Sequence, residues 1–215
     1  MMTGGRWMLT KDIRPTVGRL ARTAALIGLV SLPLASGCTS QQTQGSSPAY
    51  LIIVNLGGGA GPNASTFSNV FDSDVITKGT VFGDIGQVVL TLGLKDPGSS
   101  ASPTTPTSAN FITMSRYHVQ FVRADGRNTP GVDVPNAFDG SMTLTVTAAN
   151  STGNFVLVPV QAKLEAPLAA LAGNGGNVVI STIATITFYG TDQAGRAVSV
   201  TGTMTVNFAD FADPQ

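Results

Sequence analysis

His118 is the single histidine of the chain and so its only imidazole base. Nucleophilic catalysis at such a base needs a hydroxyl within reach and a carboxylate to orient the ring. His118 alternates with Arg116 and Gln120 in a strand-like run, which places it on a solvated face, and no GxSxG elbow occurs. Glu165 is the only glutamate, so a paired-carboxylate hydrolase would have to use two aspartates. Convergence of Asp72, Asp74, Asp84, Asp133 and Asp139 would make such a site. Asp125, Asn128, Asp133 and Asp139 share the stretch 125–139, and side chains of this kind ligate calcium in sandwich-end loops. Asp125-Gly126 and Asp139-Gly140 are also turn pairs, and EF-hand spacing is absent. With Arg123 and Arg127 in the same stretch, the expected state is a loop locked by its own Arg–Asp pairs. Asp125, Asp133 and Asp139 remain the metal candidates, and no residue stands out as catalytic. Gly57 to Gly61 invites a phosphate-loop reading, but Pro62 takes the third glycine position and no GK[ST] follows. A flexible connection is expected there.

Composition narrows the classes further. Charged residues make up 11 % of the chain, against roughly a quarter in an average globular protein. The formal net charge is zero, which removes the basic face of a nucleic-acid binder. One cysteine rules out an internal disulfide framework and a Cys-rich zinc cluster.

That cysteine has an informative setting. Arg6, Lys11, Arg14, Arg19 and Arg22 form a positive leader, followed by an uncharged apolar run from Ala24 to Ala35 that is too short to span a bilayer. Next comes Leu34-Ala35-Ser36-Gly37-Cys38, which resembles the lipobox of bacterial lipoproteins. The family more often has Leu where Ala35 stands. The resemblance implies that residues 1–37 are a signal peptide and that Cys38, carrying diacylglycerol, becomes the first residue of the mature chain. It further implies a lipid-anchored protein of the bacterial cell envelope. Thr39 stands where retention signals have Asp, which implies sorting to the outer membrane, on its periplasmic or surface face, rather than to the inner one. From Cys38 onward seven basic residues face eleven acidic ones, a net charge of −4. Such a body has no electrostatic attraction to anionic lipid, so acyl chains must supply the attachment.

Residues 38–49 read as the lipidated cysteine and a flexible polar tether, and 50–215 as the folded domain. Period-two alternation dominates that domain. Tyr50, Ile52, Val54 and Leu56 form one set, and Val88, Leu90, Leu92 and Leu94 another. Phe111, Tyr117, Val119 and Phe121 follow, then Met142, Leu144 and Val146, then Val156, Val158, Val160 and Ala162. Val178, Ile180, Ala184, Ile186 and Phe188 precede the last set, Val198, Val200, Met204, Val206 and Phe208. Only Leu164 to Ala172 suits a helix, and Pro167 limits it to a turn or two. Asp96 to Asn110, rich in Ser, Thr and Pro, reads as a structureless, protease-sensitive loop.

The expected fold is all-β: one β-sandwich of about seven or eight antiparallel strands, resembling an immunoglobulin-like Greek key without the Cys…Trp…Cys marker. The expected role is a cell-envelope lipoprotein presenting this sandwich for non-enzymatic binding or a structural purpose. Its partners would be the membrane, through the anchor, and an envelope protein or glycan. No cofactor beyond the acyl lipid is implied, calcium being the one candidate. The alternative is a secreted or envelope hydrolase or carbohydrate-active protein with an Asp-based site.

Overall fold

The structure, a computed structural model, describes residues 45–211. Cys38 and the lipobox-like segment lie outside the described residues. The described chain is an all-β fold with two principal sheets. Strands β1 (Ala49–Gly59), β3 (Asp84–Leu94) and β8 (Ser151–Val158) form a three-stranded sheet in the order β1–β3–β8. Strands β2 (Val70–Asp74), β6 (Ile112–Val122), β7 (Phe138–Val146), β9 (Ile180–Asp192) and β10 (Ala197–Ala209) form a five-stranded sheet in the order β2–β10–β9–β6–β7. β1 lies against β10 and β8 against β7, so the sheets enclose one core.

Aromatic rings join the two layers. Phe155 on β8 meets Phe188 on β9 edge-to-face at 5.2 Å and Tyr117 on β6 at the same separation. The Tyr117 hydroxyl accepts a hydrogen bond of 3.0 Å from the Val156 amide, tying β8 to the opposite sheet. Gly86 faces Phe155 across the β3–β8 pair, and a Cβ there would stand 2.3 Å from the ring. The ring occupies the space a side chain would need.

Not every strand is antiparallel. β2 pairs with β10 in parallel, from Val70 opposite Thr205 to Asp74 opposite Ala209. A hairpin dictates direction only between consecutive strands. β2 and β10 come from opposite ends of the domain, so no turn constrains them.

Two alternating sets also face the other way. In β1, Leu51 and Leu56 are buried, whereas Tyr50, Ile52 and Val54 are exposed. A register shift between Ile53 and Asn55 lets Leu51 and Leu56 share the inner face despite an odd spacing. In β8, Phe155 and Leu157 point inward and Val156 outward, while Val158, past the register shift at Asp84, is buried as expected. The strand ends at Val158, so Val160 and Ala162 belong instead to α1 (Val160–Leu164), with Pro159 at its N-cap. The expected 164–172 helix is thus displaced. α1 stops before Glu165, and a separate 3-10 turn covers Leu168–Leu171 after Pro167.

The 96–110 loop is more ordered than its composition implies. Asp96 accepts from the Gly98 amide, opening a two-residue hairpin of β4 (Gly98–Ser99) and β5 (Ser102–Pro103). The Asn110 side chain accepts from both the amide and hydroxyl of Thr107, closing a 3-10 turn over Ser108–Asn110.

The domain also begins earlier than Tyr50. Ser47 is buried, its hydroxyl bonded to Asp192, and Arg196 reaches the Ser46 carbonyl at 3.4 Å. Burial pushes the Asp192 carboxyl up. Hydrogen bonds from the Arg196 amide, the Ser47 hydroxyl and the Ala194 amide, with the Arg196 charge at 3.0 Å, more than reverse this and hold it below the usual carboxylate range. A folded pKa below the unfolded one gives stability that is complete above about pH 4 and is lost as pH falls through the folded value. Asp192→Asn should therefore cost about 2 kcal/mol at pH 7, the scale of a charged hydrogen bond. Thermal melts from pH 7 to pH 3 should show the difference from wild type shrinking below about pH 4.

Candidate functional site

The candidate calcium ligands do not meet. Asp125 pairs with Arg123, and the carboxylate also accepts from the Arg127 amide at 3.1 Å. The hydrogen bond from Arg123, followed by that amide, holds the Asp125 carboxyl below its ordinary range. Asp133 binds Arg127 at 2.9 Å and accepts from the Thr129 amide at 3.3 Å. Desolvation raises its pKa, but the bonds from Arg127 and Thr129 prevail and lower it. The stretch is thus locked by two Arg–Asp pairs. Among the described residues, no three His, Cys, Asp or Glu side chains gather into a metal-binding group.

Asp139 belongs to another arrangement. β6 and β7 pair with His118 directly opposite Asp139, bringing the ring Nδ1 to 3.3 Å from the carboxylate. Arg116 reaches the same oxygen at 3.3 Å and stacks over the Tyr189 ring at 4.0 Å. Thr187 faces His118 from β9, so Asp139, His118 and Thr187 form a row across three strands. The types suit a charge-relay set, but the Thr187 hydroxyl hydrogen-bonds Thr201 at 2.9 Å. The group lies on the outer surface of a sheet and lines none of the clefts described below.

A chemically richer centre sits beneath the glycine segment, and it turns on Lys163, which the sequence does not single out. Lys163, on α1, is 1 % exposed and lies 2.7 Å from Asp84, itself 2 % exposed. The Asp84 carboxylate also accepts from the Ser73 hydroxyl at 2.6 Å and from the Gly61 amide at 3.0 Å. Lys163 makes a second bond of 2.7 Å to the Asp74 carbonyl. One buried pair thereby joins β2, β3, α1 and the loop after β1. The glycines have a packing reason as well: a Cβ on Gly58 would stand 2.7 Å from both Leu157 and Phe71. A lysine within the amphipathic VQAKL turn was the available signal, obscured because the expected helix began four residues after Val160, at Leu164.

Two clefts open beside this centre. One, of about 320 Å³, is lined by Gly61, Asn63, Asp74, Thr77, Asp84 and Lys163 among others. Asp74 and Asp84 therefore approach one cavity, whereas Asp72 turns to Asn207 at 2.9 Å. Both carboxylates are engaged: Asp74 accepts from the Thr77 hydroxyl at 2.8 Å and the Phe211 amide at 3.1 Å. The second cleft, of about 400 Å³, is mostly apolar and includes Pro62, Phe82, Ile85, Val156 and Val160. No family model, curated protein or solved structure matched this chain.

Proposed function

We propose that this chain is a lipid-anchored lipoprotein of the bacterial cell envelope, carrying an immunoglobulin-like sandwich with a non-enzymatic binding or structural role. The observation that carries the non-enzymatic part is the buried Asp84–Lys163 pair. The Asp84 carboxylate and Lys163 amine that border the cleft bond each other, and Asp84 also accepts from the Ser73 hydroxyl behind them. The cleft's Thr77 hydroxyl is bonded to Asp74, so these polar side chains are engaged with one another. The strand orders β1–β3–β8 and β10–β9–β6–β7 support the immunoglobulin-like reading, since they parallel the A–B–E and G–F–C–C′ orders of variable-type domains. On this reading Cys38 carries diacylglycerol, residues 39–45 are the tether, and the protein is sorted to the outer membrane. An envelope protein or glycan is the partner.

The test is Cys38→Ala. Detergent phase partitioning and fractionation should move the variant from membrane to soluble fractions, with the wild-type melting temperature retained. A variant that still enters the detergent phase overturns the anchor.

Asp74 and Asp84 lining one cleft favour a second reading, an envelope hydrolase or carbohydrate-active protein with an Asp-based site. Glycan hydrolysis lost on Asp74→Asn in a folded protein would establish it.

A further inference from the structure

We infer that the outer face of the β1–β3–β8 sheet rests on the lipid surface that receives the anchor, so that the domain lies on the bilayer. The inference builds on the lipid-anchor reading above. Its basis is the chemistry of that face. Tyr50, Ile52, Val54 and Val156 point away from the core and are 44 %, 39 %, 51 % and 42 % exposed. Ile85 and Val89 of β3 are half-buried beside them, with the uncharged Gln87, Thr91, Thr152 and Asn154 at other outward positions of β3 and β8 and Gln87 bonded to Asn154 at 3.2 Å. The apolar cleft formed with Phe82 and Val160 continues the surface from Ile85 and Val156. Asp84 is the only charged residue in the three strands, and it is buried.

The opposite sheet shows what a water-facing surface of this domain looks like. There the outward positions include Arg116, His118 and Asp139, with the hydroxyls of Thr187 and Thr201. A face of exposed apolar side chains interrupted only by uncharged polar ones suits contact with a surface better than a charged face does. The carboxylates that give the mature chain its net negative charge would be repelled by anionic lipid. A face whose strands expose none of them can approach it.

Chain length identifies the occupant. Ser46 is bonded by Arg196 and β1 begins at Ala49, so seven residues, 39–45, separate Cys38 from that fixed position. The eight Cα–Cα steps across them can span no more than about 30 Å. The strand entered from this tether carries Tyr50, Ile52 and Val54. Tyrosine favours the membrane–water boundary, where its ring is apolar and its hydroxyl stays wet.

The mature chain has no tryptophan, because Trp7 precedes Cys38, so a single introduced indole reports on its own position. Ile52→Trp and Thr203→Trp place one on each outer sheet face of the full lipidated protein. The probe is vesicles of phosphatidylethanolamine and phosphatidylglycerol with brominated acyl chains, read beside acrylamide quenching from water. Expected is several-fold stronger bromolipid quenching for Ile52→Trp than for Thr203→Trp, with the reverse order for acrylamide. An apolar face seated about 5–10 Å into the headgroup boundary gives this pattern. Adding Val54→Asp to Ile52→Trp should weaken the bromolipid quenching. Equal quenching of the two indoles overturns the inference. Protection of Ile52→Trp from both quenchers also overturns it, because a second copy of the chain then covers the face. Intact mass of the same sample reads the acyl chains on Cys38 independently. A chain that lacks them is added to the same vesicles and judged by the same quenching ratio, so failure of the anchor and failure of the face are separate results.

Discussion

Lys163→Met should lower the melting temperature by about 10 °C, the largest effect expected from a single charge in this domain. Removing one partner of a buried ion pair leaves an uncompensated charge, which typically costs about 3–5 kcal/mol. For a domain of this size each kcal/mol corresponds to about 2–4 °C. Asp84 would keep its bonds from Ser73 and Gly61 but lose the cation at 2.7 Å. The Asp74 carbonyl would lose its lysine partner as well. Met preserves most of the side-chain volume, so the change reports on charge more than on packing. The double variant Lys163→Met with Asp84→Asn should recover part of the loss, because no bare charge remains. Calorimetry on the three proteins measures both effects. A single variant within about 1 °C of wild type would show that the pair does not hold the loop, and the cleft beside it would then merit tests for catalysis.

Phe188→Ala should destabilise the domain by about 3–5 kcal/mol, the range for removing a fully buried phenylalanine. Phe188 has no exposed surface and stands between Phe155 on the opposite sheet and Tyr117 on its own. The more telling quantity is its coupling to Phe155. A double-mutant cycle with Phe155→Ala should return an interaction of about 0.5–1.5 kcal/mol, as for edge-to-face rings in contact. Denaturant unfolding followed by far-UV circular dichroism supplies the four stabilities. Strict additivity would mean that the two sheets do not share a core at this point.

The carboxylates that could serve a hydrolase divide among four settings: Asp72 with Asn207, Asp84 with Lys163, Asp133 with Arg127, and Asp139 with Arg116 and His118. Asp74 shares a cleft with Asp84, yet its oxygens accept bonds that fasten local backbone and side chains. Each of these five carboxylates is engaged by a neighbouring side chain or backbone amide.

The strand content and the Arg–Asp pairing of Asp125 and Asp133 were legible in the sequence because both depend on near neighbours. Alternation reports pleat over a few residues. Asp125-Gly126 makes a turn locally, whereas Asp139-Gly140, read as a second turn, lies inside β7. Arg123 and Arg127 lie two and six residues from their carboxylates. The tertiary structure decided what depends on distant chain. The face that Tyr50, Ile52 and Val54 present turns on the register shift against β3, which no reading of β1 alone contains. The parallel seat of β2 beside β10 required strands from opposite ends of the domain to meet. Lys163 became the centre of a buried network only when α1 brought it to Asp84, 79 positions away, and to the Asp74 carbonyl. The desolvation that makes this pair matter is a property of the closed core, and it does not exist in the extended chain.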